Sequence, residues 1–298
     1  MMSVRFPAKR IQRVYPYCMC KARPDYGKNK RMNLNPATFI ADTHVHVYPV
    51  HDAARLIEQA GTHLGRLADG PDALRAIFLT EVHGHDFFGA LKNGSHAVPS
   101  LHVLEQEESE ALLLRHETAG DLWLFAGRQI VTAERLEVLA LTMEKVVEDG
   151  APVSDIVRAV GDTGGIPVLS WAPGKWFFER GTIVKRVVEE FEPGQLRIGD
   201  TSLRPVGWPE PGIMKRAGAE GRTVLAGSDP LPFRGEERQA GQYAVCFECA
   251  FDPGRPVTSI RAALSDPALR VKRVGRRNSV PQMLNRLYRH RRGKKHIG

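Results

Sequence analysis

Short apolar segments recur along this chain, and several of them end in a cluster of polar residues. Residues 39–46, 76–86 and 223–229 each begin with buried-strand residue types and end in His, Asp or Glu. A segment with the apolar spacing of a helix follows the first. This alternation is typical of a parallel α/β architecture, in which functional side chains follow the carboxyl ends of the strands.

The same patterns predict the remaining elements of the body. Apolar runs with β-branched residues predict strands, and spacings of three or four predict helices. We expect strands at 39–46, 76–80, 111–115, 122–126, 134–141 (toward its end), 166–169, 196–198 and 223–226. Helices are expected at 51–67, 154–160, 183–191, 213–219 and 280–288.

Charge divides the chain into three parts. Residues 1–31 and 270–298 are strongly basic, whereas residues 32–269 carry more acidic than basic side chains. We therefore expect a basic N-terminal extension without ordered structure, an α/β body, and a basic C-terminal tail with one short helix. Basic tails attract phosphate backbones, so nucleic acid is one expected partner; the alternative is that the tails are solvated or fold back on the acidic body.

Nothing in the sequence predicts a membrane or secretory protein. No run of about 18 apolar residues is present, and the basic N-terminus lacks the apolar stretch of a signal peptide. The four cysteines fit the reduced thiols that are usual in cytosolic proteins. We therefore expect a cytoplasmic protein.

Histidines are concentrated in one region, since nine of the eleven lie between His44 and His116. Residues two apart in a strand point to the same side, so His44 and His46 can bind one metal ion together, and Asp42 lies on that side too. His51 follows closely enough to reach a neighbouring metal or, alternatively, to lie on the surface at a helix start.

Two further clusters contain candidate ligands. Glu81, His83 and His85 follow the second strand, and at least one of them is expected to face the same mouth; the alternative is a solvated loop. Asp229 follows a late strand, where small residues allow the tight turn that presents its carboxylate. It is a candidate metal ligand, or a base acting on water activated by the metal, or a turn cap.

The ordered set of motifs resembles the PHP (polymerase and histidinol phosphatase) family over about residues 39–233. His44-x-His46 resembles its first motif, residues 79–86 its second, and residues 124–141 its third. Residues 164–169 resemble the strand before its fourth motif, and 226–229 resembles its last. The resemblance implies a distorted (β/α)7-type barrel with metal-site loops at the strand carboxyl ends, up to three metal ions, and hydrolysis of phosphate esters.

Three positions depart from the family pattern. Gln129 stands where the family has a bridging Glu, Trp171 lies in the segment that lacks the expected His-Pro, and Leu231 replaces a final His. A complete three-metal site is therefore not expected. We expect one or two divalent ions (zinc, manganese or iron), held by His44, His46 and Asp229 with help from the second cluster.

The leading functional hypothesis is a metal-dependent phosphoesterase acting on a small phosphorylated substrate. Asp229, Lys175 and Arg204 are the candidate catalytic residues, because the two cations follow strands and could stabilise charge on a phosphate. One alternative is a catalytically impaired PHP-like scaffold that binds a ligand, nucleic acid or a protein partner. Another is an amidohydrolase-type hydrolase of C–N bonds or lactones, since that superfamily also begins with His-x-His.

Overall fold

The computed structural model describes residues 35–294, which form two β-sheets and seven α-helices. The strands are β1 (Asn35–Val45), β2 (Leu74–Leu79), β3 (Leu101–Glu105), β4 (Ala111–His116), β5 (Gly120–Phe125), β6 (Gly127–Val131), β7 (Glu137–Leu141), β8 (Ile166–Ser170), β9 (Arg197–Thr201), β10 (Val224–Gly227), β11 (Tyr243–Phe251) and β12 (Val271–Gly275). The helices are α1 (Ala53–Leu67), α2 (Phe87–Lys92), α3 (Val153–Asp162), α4 (Phe178–Glu190), α5 (Gly212–Ala219), α6 (Pro256–Ser265) and α7 (Val280–Lys294).

The two sheets are both mixed. The seven-stranded sheet has the order β12-β11-β1-β2-β5-β4-β3, with β1, β2 and β5 parallel and the outer strands antiparallel. The five-stranded sheet has the order β10-β9-β8-β7-β6, with β8, β9 and β10 parallel. The chain passes from one sheet to the other between β5 and β6, across Ala126.

The predicted distorted (β/α)7-type barrel is wrong, because among the described residues the strands form two separate sheets. Closure would require β10 to pair with β1. The antiparallel strand β11 occupies that edge of β1 instead, from Asn35↔Phe251 to Ala41↔Val245. The sheets also approach each other where β2 ends beside β6, and there only the isolated bridge Glu81↔Arg128 connects them. The fold is therefore a mixed α/β fold in which β1 and β10 lie close together without forming a ladder.

Three buried clusters hold these layers together. Residues of β1 alternate between two of them, since Phe39 and Ala41 belong to one cluster and Ile40 to another. The first cluster joins the two sheets, the second packs the five-stranded sheet against α3, α4 and α5, and the third packs the other sheet against α1 and α2. Strands that are buried on both faces have nearly continuous apolar sequences, and the central strands of this chain do.

Helix α1 illustrates how local sequence sets an element. The side chain of Asp52 accepts a hydrogen bond from Arg55 N, which caps the first turn. Leu56, Ile57, Ala60 and Leu64 then form one buried stripe with helical spacing. This helix covers the seven-stranded sheet directly after the strand that carries His44 and His46.

The C-terminal segment contains more structure than a basic tail with one short helix. β12 pairs with β11, and α7 extends beyond the predicted 280–288. Residues 1–34 and 295–298, which include the predicted N-terminal extension, lie outside the described residues. Within 35–294, no helix combines the length and apolar character needed to cross a membrane.

Candidate metal centre

His44 and His46 converge at the carboxyl end of β1. Both rings are buried, and their Nε2 atoms lie 3.0 Å apart. Asp42 turns elsewhere: its carboxylate accepts hydrogen bonds from Ser228 N at 2.9 Å and Gly241 N at 2.8 Å, and also from the Ser228 hydroxyl. Asp42 therefore fixes the backbone around the site rather than facing it with the histidines.

Asp229 reaches the two histidines from the other sheet. Its Oδ1 lies 3.6 Å from Nε2 of His44 and 3.6 Å from Nε2 of His46. Gly227, the last residue of β10, makes this approach feasible, because a Cβ there would lie only 2.3 Å from Cβ of His44. Two strands that do not pair thus bring together one candidate site formed by His44, His46 and Asp229.

The spacing of the three atoms fits a metal ion. Ligand distances of about 2.0–2.2 Å in a tetrahedral site put ligand atoms roughly 3.3–3.6 Å apart. The observed separations of 3.0, 3.6 and 3.6 Å bracket that range. Two imidazole lone pairs facing each other at 3.0 Å also repel unless a cation or a proton lies between them. The donor set, two imidazoles and one carboxylate, is one that zinc and other divalent transition metals accept.

Burial keeps the two histidines in the state that a metal requires. It lowers the pKa of His44 to about 4, partly offset by the charge of Glu137, and the pKa of His46 to about 3. Both are therefore neutral near pH 7, as metal ligation demands. Burial also raises the pKa of Asp229, while His46 and Arg286 act in the opposite direction. A cation at this point would favour the ionised carboxylate.

Gln129, which stands where the family pattern has a bridging Glu, and Ser170 line the same site. Gln129 Oε1 lies 3.2 Å from His44 Nε2, so an amide oxygen is available beside the three candidate ligands. Ser170 Oγ lies 3.5 Å from Nδ1 of His44 and can orient that ring from behind. Trp171 is buried against the helices, and Leu231 contributes only its backbone.

His51 lies next to the site, but both of its ring nitrogens are already used. Nδ1 accepts a hydrogen bond from Tyr48 N at 3.3 Å, and Nε2 donates to the carbonyl of Leu231 at 2.9 Å. His51 therefore stabilises the loop after Asp229 through its hydrogen bond to the Leu231 carbonyl. No nitrogen lone pair remains for a metal in this arrangement.

The second predicted cluster does not join the first. Glu81 is buried, pairs with Arg128 at 3.2 Å, and accepts hydrogen bonds from Phe87 N and Phe88 N at the start of α2. Burial raises the pKa of its carboxyl to about 7.

The histidines of that cluster also stay outside the three-residue group. His83 is exposed and lies 3.6 Å from Glu148, while the ring of His85 packs edge-on against Tyr48. Neither belongs to a group that could hold a metal among the described residues.

The two predicted cations have different surroundings. Arg204 is buried, with Nε and Nη2 donating to the carboxylate of Asp200 and Nη1 donating to the Trp208 carbonyl. Its donors are occupied, so it acts as a structural ion pair. Lys175 pairs with Glu137 at 2.6 Å, and its charge acts on Asp229. Of the two predicted cations, Lys175 is therefore the one whose charge acts on the candidate site.

Sequence reasoning missed three residues around the site. Glu137 begins β7 and acts electrostatically on both His44 and Tyr48. Tyr48 packs its ring against the rings of His46, His51 and His85 at centroid distances of 5.3, 5.3 and 5.6 Å. Arg286 lies on α7, remote in sequence. Only Glu137 carried a signal, since it is one of two carboxylates in the predicted strand 134–141.

Comparisons with known proteins support the fold alone. No protein-family model matches the chain, and no curated protein sequence matches it. The solved structure of PsfC from Pseudomonas syringae PB-5123 is similar, with a TM-score of 0.52, 15% identity, and coverage of 88% of this chain and 100% of that one.

Two weaker structural similarities accompany it. One is a two-domain protein from Bacteroides vulgatus ATCC 8482, described as containing a predicted PHP-like metal-dependent phosphoesterase (TM-score 0.46, 15% identity, 88% of this chain and 75% of that chain). The other is the lesion-specific endonuclease PfuEndoQ from Pyrococcus furiosus (TM-score 0.47, 10% identity, 80% and 59%). Scores at this level carry no argument about function.

Proposed function

We propose that this chain is a metal-dependent hydrolase of phosphate esters, with one divalent cation held by His44, His46 and Asp229. The observation that carries the proposal is the convergence of two imidazole nitrogens and one carboxylate oxygen at separations of 3.0, 3.6 and 3.6 Å. These three side chains are buried and come from two strand ends, so the site is preorganised rather than a chance surface cluster.

The residues of this chain have distinct roles in the proposed site. A bound divalent cation would act as a Lewis acid and make water acidic enough to supply a nucleophile near neutral pH. His44 and His46 supply neutral nitrogen donors, Asp229 supplies the negative charge, and Gln129 supplies an amide oxygen beside them. Ser170 orients the ring of His44.

Support for a phosphate ester comes from the surroundings of the site. Lys175 is only partly buried and acts electrostatically on Asp229, so its ammonium can leave Glu137 and contact an anionic substrate. A cleft of about 370 Å³ lies beside the site, with Gln129 in its wall, but residues 81–86 and Arg128 form most of that wall and none of the three candidate ligands lines it. Arg204 takes no part in this proposal, because Asp200 and Trp208 occupy its donors.

The ordered motifs support placing the chain as a divergent PHP relative. The departures at Gln129, Trp171 and Leu231 explain why we propose a single ion rather than three.

A second candidate is a metal-binding scaffold without turnover. It is favoured by the neutral Gln129 beside His44 and by His51, whose ring nitrogens are both engaged by the backbone. Such a scaffold would bind its partner through another surface, and the exposed arginines of α7 offer one for nucleic acid. Nucleic-acid binding would favour this candidate if it weakens steeply with rising salt concentration and is lost when the basic side chains of residues 270–298 are replaced by neutral ones.

Metal content and hydrolysis, measured on the full chain, separate these functions. We expect about one ion per chain by elemental analysis, and hydrolysis of p-nitrophenyl phosphate with Mn²⁺ or Zn²⁺. Lys175→Ala should lower kcat by about 100-fold, as loss of one charge-stabilising donor does. Lys185→Ala, at an exposed lysine of α4, is the matched control and should leave kcat unchanged.

The opposite results are equally informative. Metal-loaded protein without hydrolysis of phosphate esters would select the scaffold. Activity on amide or lactone substrates alone would select the amidohydrolase alternative. Purified protein that binds neither Zn²⁺ nor Mn²⁺ would contradict the proposal.

A further inference from the structure

Arg286, on the inner face of α7, is surrounded by acceptors from the body of the protein. Its side chain is 5% exposed. Nε donates to both carboxylate oxygens of Glu236 at 3.0 and 2.9 Å, and Nη2 donates to Glu236 as well as to the Asp229 carbonyl at 2.8 Å. Nη1 donates to Ser202 Oγ at 2.9 Å. All three nitrogens are therefore engaged, by partners at Ser202 and in the loop from Asp229 to Glu236.

The Asp229 backbone needs such support because of its conformation. Its φ is +50°, in the left-handed region that non-glycine residues adopt only when the surroundings impose it. The amide of Asp229 donates to the His44 carbonyl at 2.9 Å, and its carbonyl accepts from Arg286. The two peptide groups that flank the Asp229 side chain are thus fixed from opposite sides, one by β1 and one by α7.

Ser202 extends the same support to the preceding peptide. Its hydroxyl donates to the Ser228 carbonyl at 2.6 Å while accepting from Nη1 of Arg286 and from Asn278 Nδ2. Glu236, fixed by Arg286, accepts a hydrogen bond from Leu231 N at 3.0 Å. One guanidinium therefore organises the loop before and after Asp229.

Arg286 is one of the main attachments of helix α7 to the body. Among residues 280–292, Met283 and Arg286 are buried and Leu287 is half-buried, whereas Leu284 and Tyr288 are 56% and 58% exposed. Two apolar side chains bury little area for a helix of 15 residues. The hydrogen bonds of Arg286 consequently connect the attachment of α7 directly to the position of Asp229.

We propose that Arg286 is a positioning residue for Asp229, so that docking of α7 and binding of the metal stabilise each other. This inference rests on the proposed metal site formed by His44, His46 and Asp229. Reciprocity follows from linkage: if docked α7 raises affinity for the metal, bound metal must favour docked α7 by the same factor.

Replacement of Arg286 tests the first half of this coupling. In the full chain, Arg286→Met should weaken Zn²⁺ binding by about 10–100-fold in calorimetric titration, the usual effect of losing a group that orients a ligand. Arg286→Lys should bind with intermediate affinity, because an ammonium can reach one acceptor but lacks the planar fork. Arg292→Met, at an exposed arginine of the same helix, is the matched control and should bind as the wild type does.

Hydrogen exchange on the wild-type chain tests the second half and needs no variant to fold. Addition of Zn²⁺ should slow exchange of the α7 amides, and removal of the ion with EDTA should restore it. A purely structural role for Arg286 would lower Tm in Arg286→Met while leaving the Zn²⁺ affinity of the folded protein unchanged.

The outcomes distinguish this inference from the proposed function. Wild-type protein that binds Zn²⁺, together with unchanged affinity in Arg286→Met or unchanged α7 exchange, would overturn the coupling and leave the metal site standing. Wild-type protein that binds no Zn²⁺ would overturn both.

Discussion

Two clusters of histidine and acidic residues follow the neighbouring strands β1 and β2, yet only one forms a candidate site. After β1, the lone pairs of His44 and His46 face a common buried point that Asp229 also reaches. After β2, Glu81 caps a helix and pairs with Arg128, while His83 points to solvent.

The difference lies in what meets each strand end. At β1, the second sheet supplies Gly227 and Asp229, which close the site from the opposite side. At β2, the opposing residue is Arg128, whose guanidinium neutralises Glu81 and also contacts Asp86 and the His85 carbonyl. A metal cation here would be repelled by Arg128, which already supplies the positive charge beside Glu81.

The largest expected difference is in metal affinity. Asp229→Asn keeps the shape of the side chain but removes the charge that binds the cation, so affinity for Zn²⁺ should fall by at least about 100-fold. Asp86→Asn is the matched change in the other cluster and should leave the affinity unchanged. Calorimetric titration of both variants measures the contrast, and equal effects would mean that the two clusters share one site.

Replacing a glycine by alanine should lower stability more at Gly227, beside the first cluster, than at Gly84, in the second. A Cβ on Gly227 would lie 2.3 Å from that of His44, so Gly227→Ala should cost about 2 kcal/mol of unfolding free energy. Gly84 has φ +79° with open space around it, so Gly84→Ala should cost only about 1 kcal/mol of backbone strain. Urea denaturation gives both values, and a larger loss at Gly84 would refute the close approach of β10 to β1.

The pH dependence of stability should have opposite signs for Glu81 and for the two histidines of the first cluster, whereas Asp229, whose pKa is also raised by burial, has the sign of Glu81. The folded-state pKa of Glu81 is raised from 4.5 to about 7, so the folded protein holds this proton more tightly and loses stability as pH rises between those values. His44 and His46 have lowered pKa values, so they contribute stability at pH above 6.5 that is lost as pH falls toward about 4 and 3.

Replacing Glu81 isolates its contribution. In Glu81→Gln, the free energy of unfolding should rise more steeply between pH 4.5 and 7 than in the wild type, by on the order of 1 kcal/mol over that range. Denaturation curves at several pH values provide the measurement, with the metal removed from both proteins. An unchanged slope would show that folding does not raise the pKa of Glu81.

The smallest effect is expected at His83. Its ring is exposed and its pairing with Glu148 at 3.6 Å is a surface contact, which contributes little after screening by solvent. His83→Ala should change neither the metal stoichiometry nor, beyond about 0.5 kcal/mol, the stability. Loss of bound metal in this variant would show that the second cluster takes part in metal binding.

Local sequence identified the strand ends but not their partners. The i, i+2 spacing of His44 and His46 and the small residues before Asp229 follow from backbone geometry, so they were visible in the sequence. The barrel prediction is wrong because the pattern of apolar runs does not predict β11 (Tyr243–Phe251), which occupies the edge of β1 where β10 would have closed the ring.

The supporting residues were beyond the reach of local patterns for a related reason. In the sequence Arg286 belongs to a basic tail, and only the folded chain brings it to the Asp229 carbonyl, 57 residues away in sequence. Glu81 has the sequence position of a ligand because a carboxylate after a strand looks the same whether it binds a metal or caps α2. Long-range partners decide between these roles, and they are set by the arrangement of the sheets.

Anomalous diffraction from crystals of the zinc-loaded protein tests the central claim most directly. The account predicts one strong peak within about 2.0–2.2 Å of His44 Nε2, His46 Nε2 and an Asp229 carboxylate oxygen. A peak among Glu81, His83 and His85 instead, or no peak at His44 and His46 in crystals that contain zinc, would contradict it.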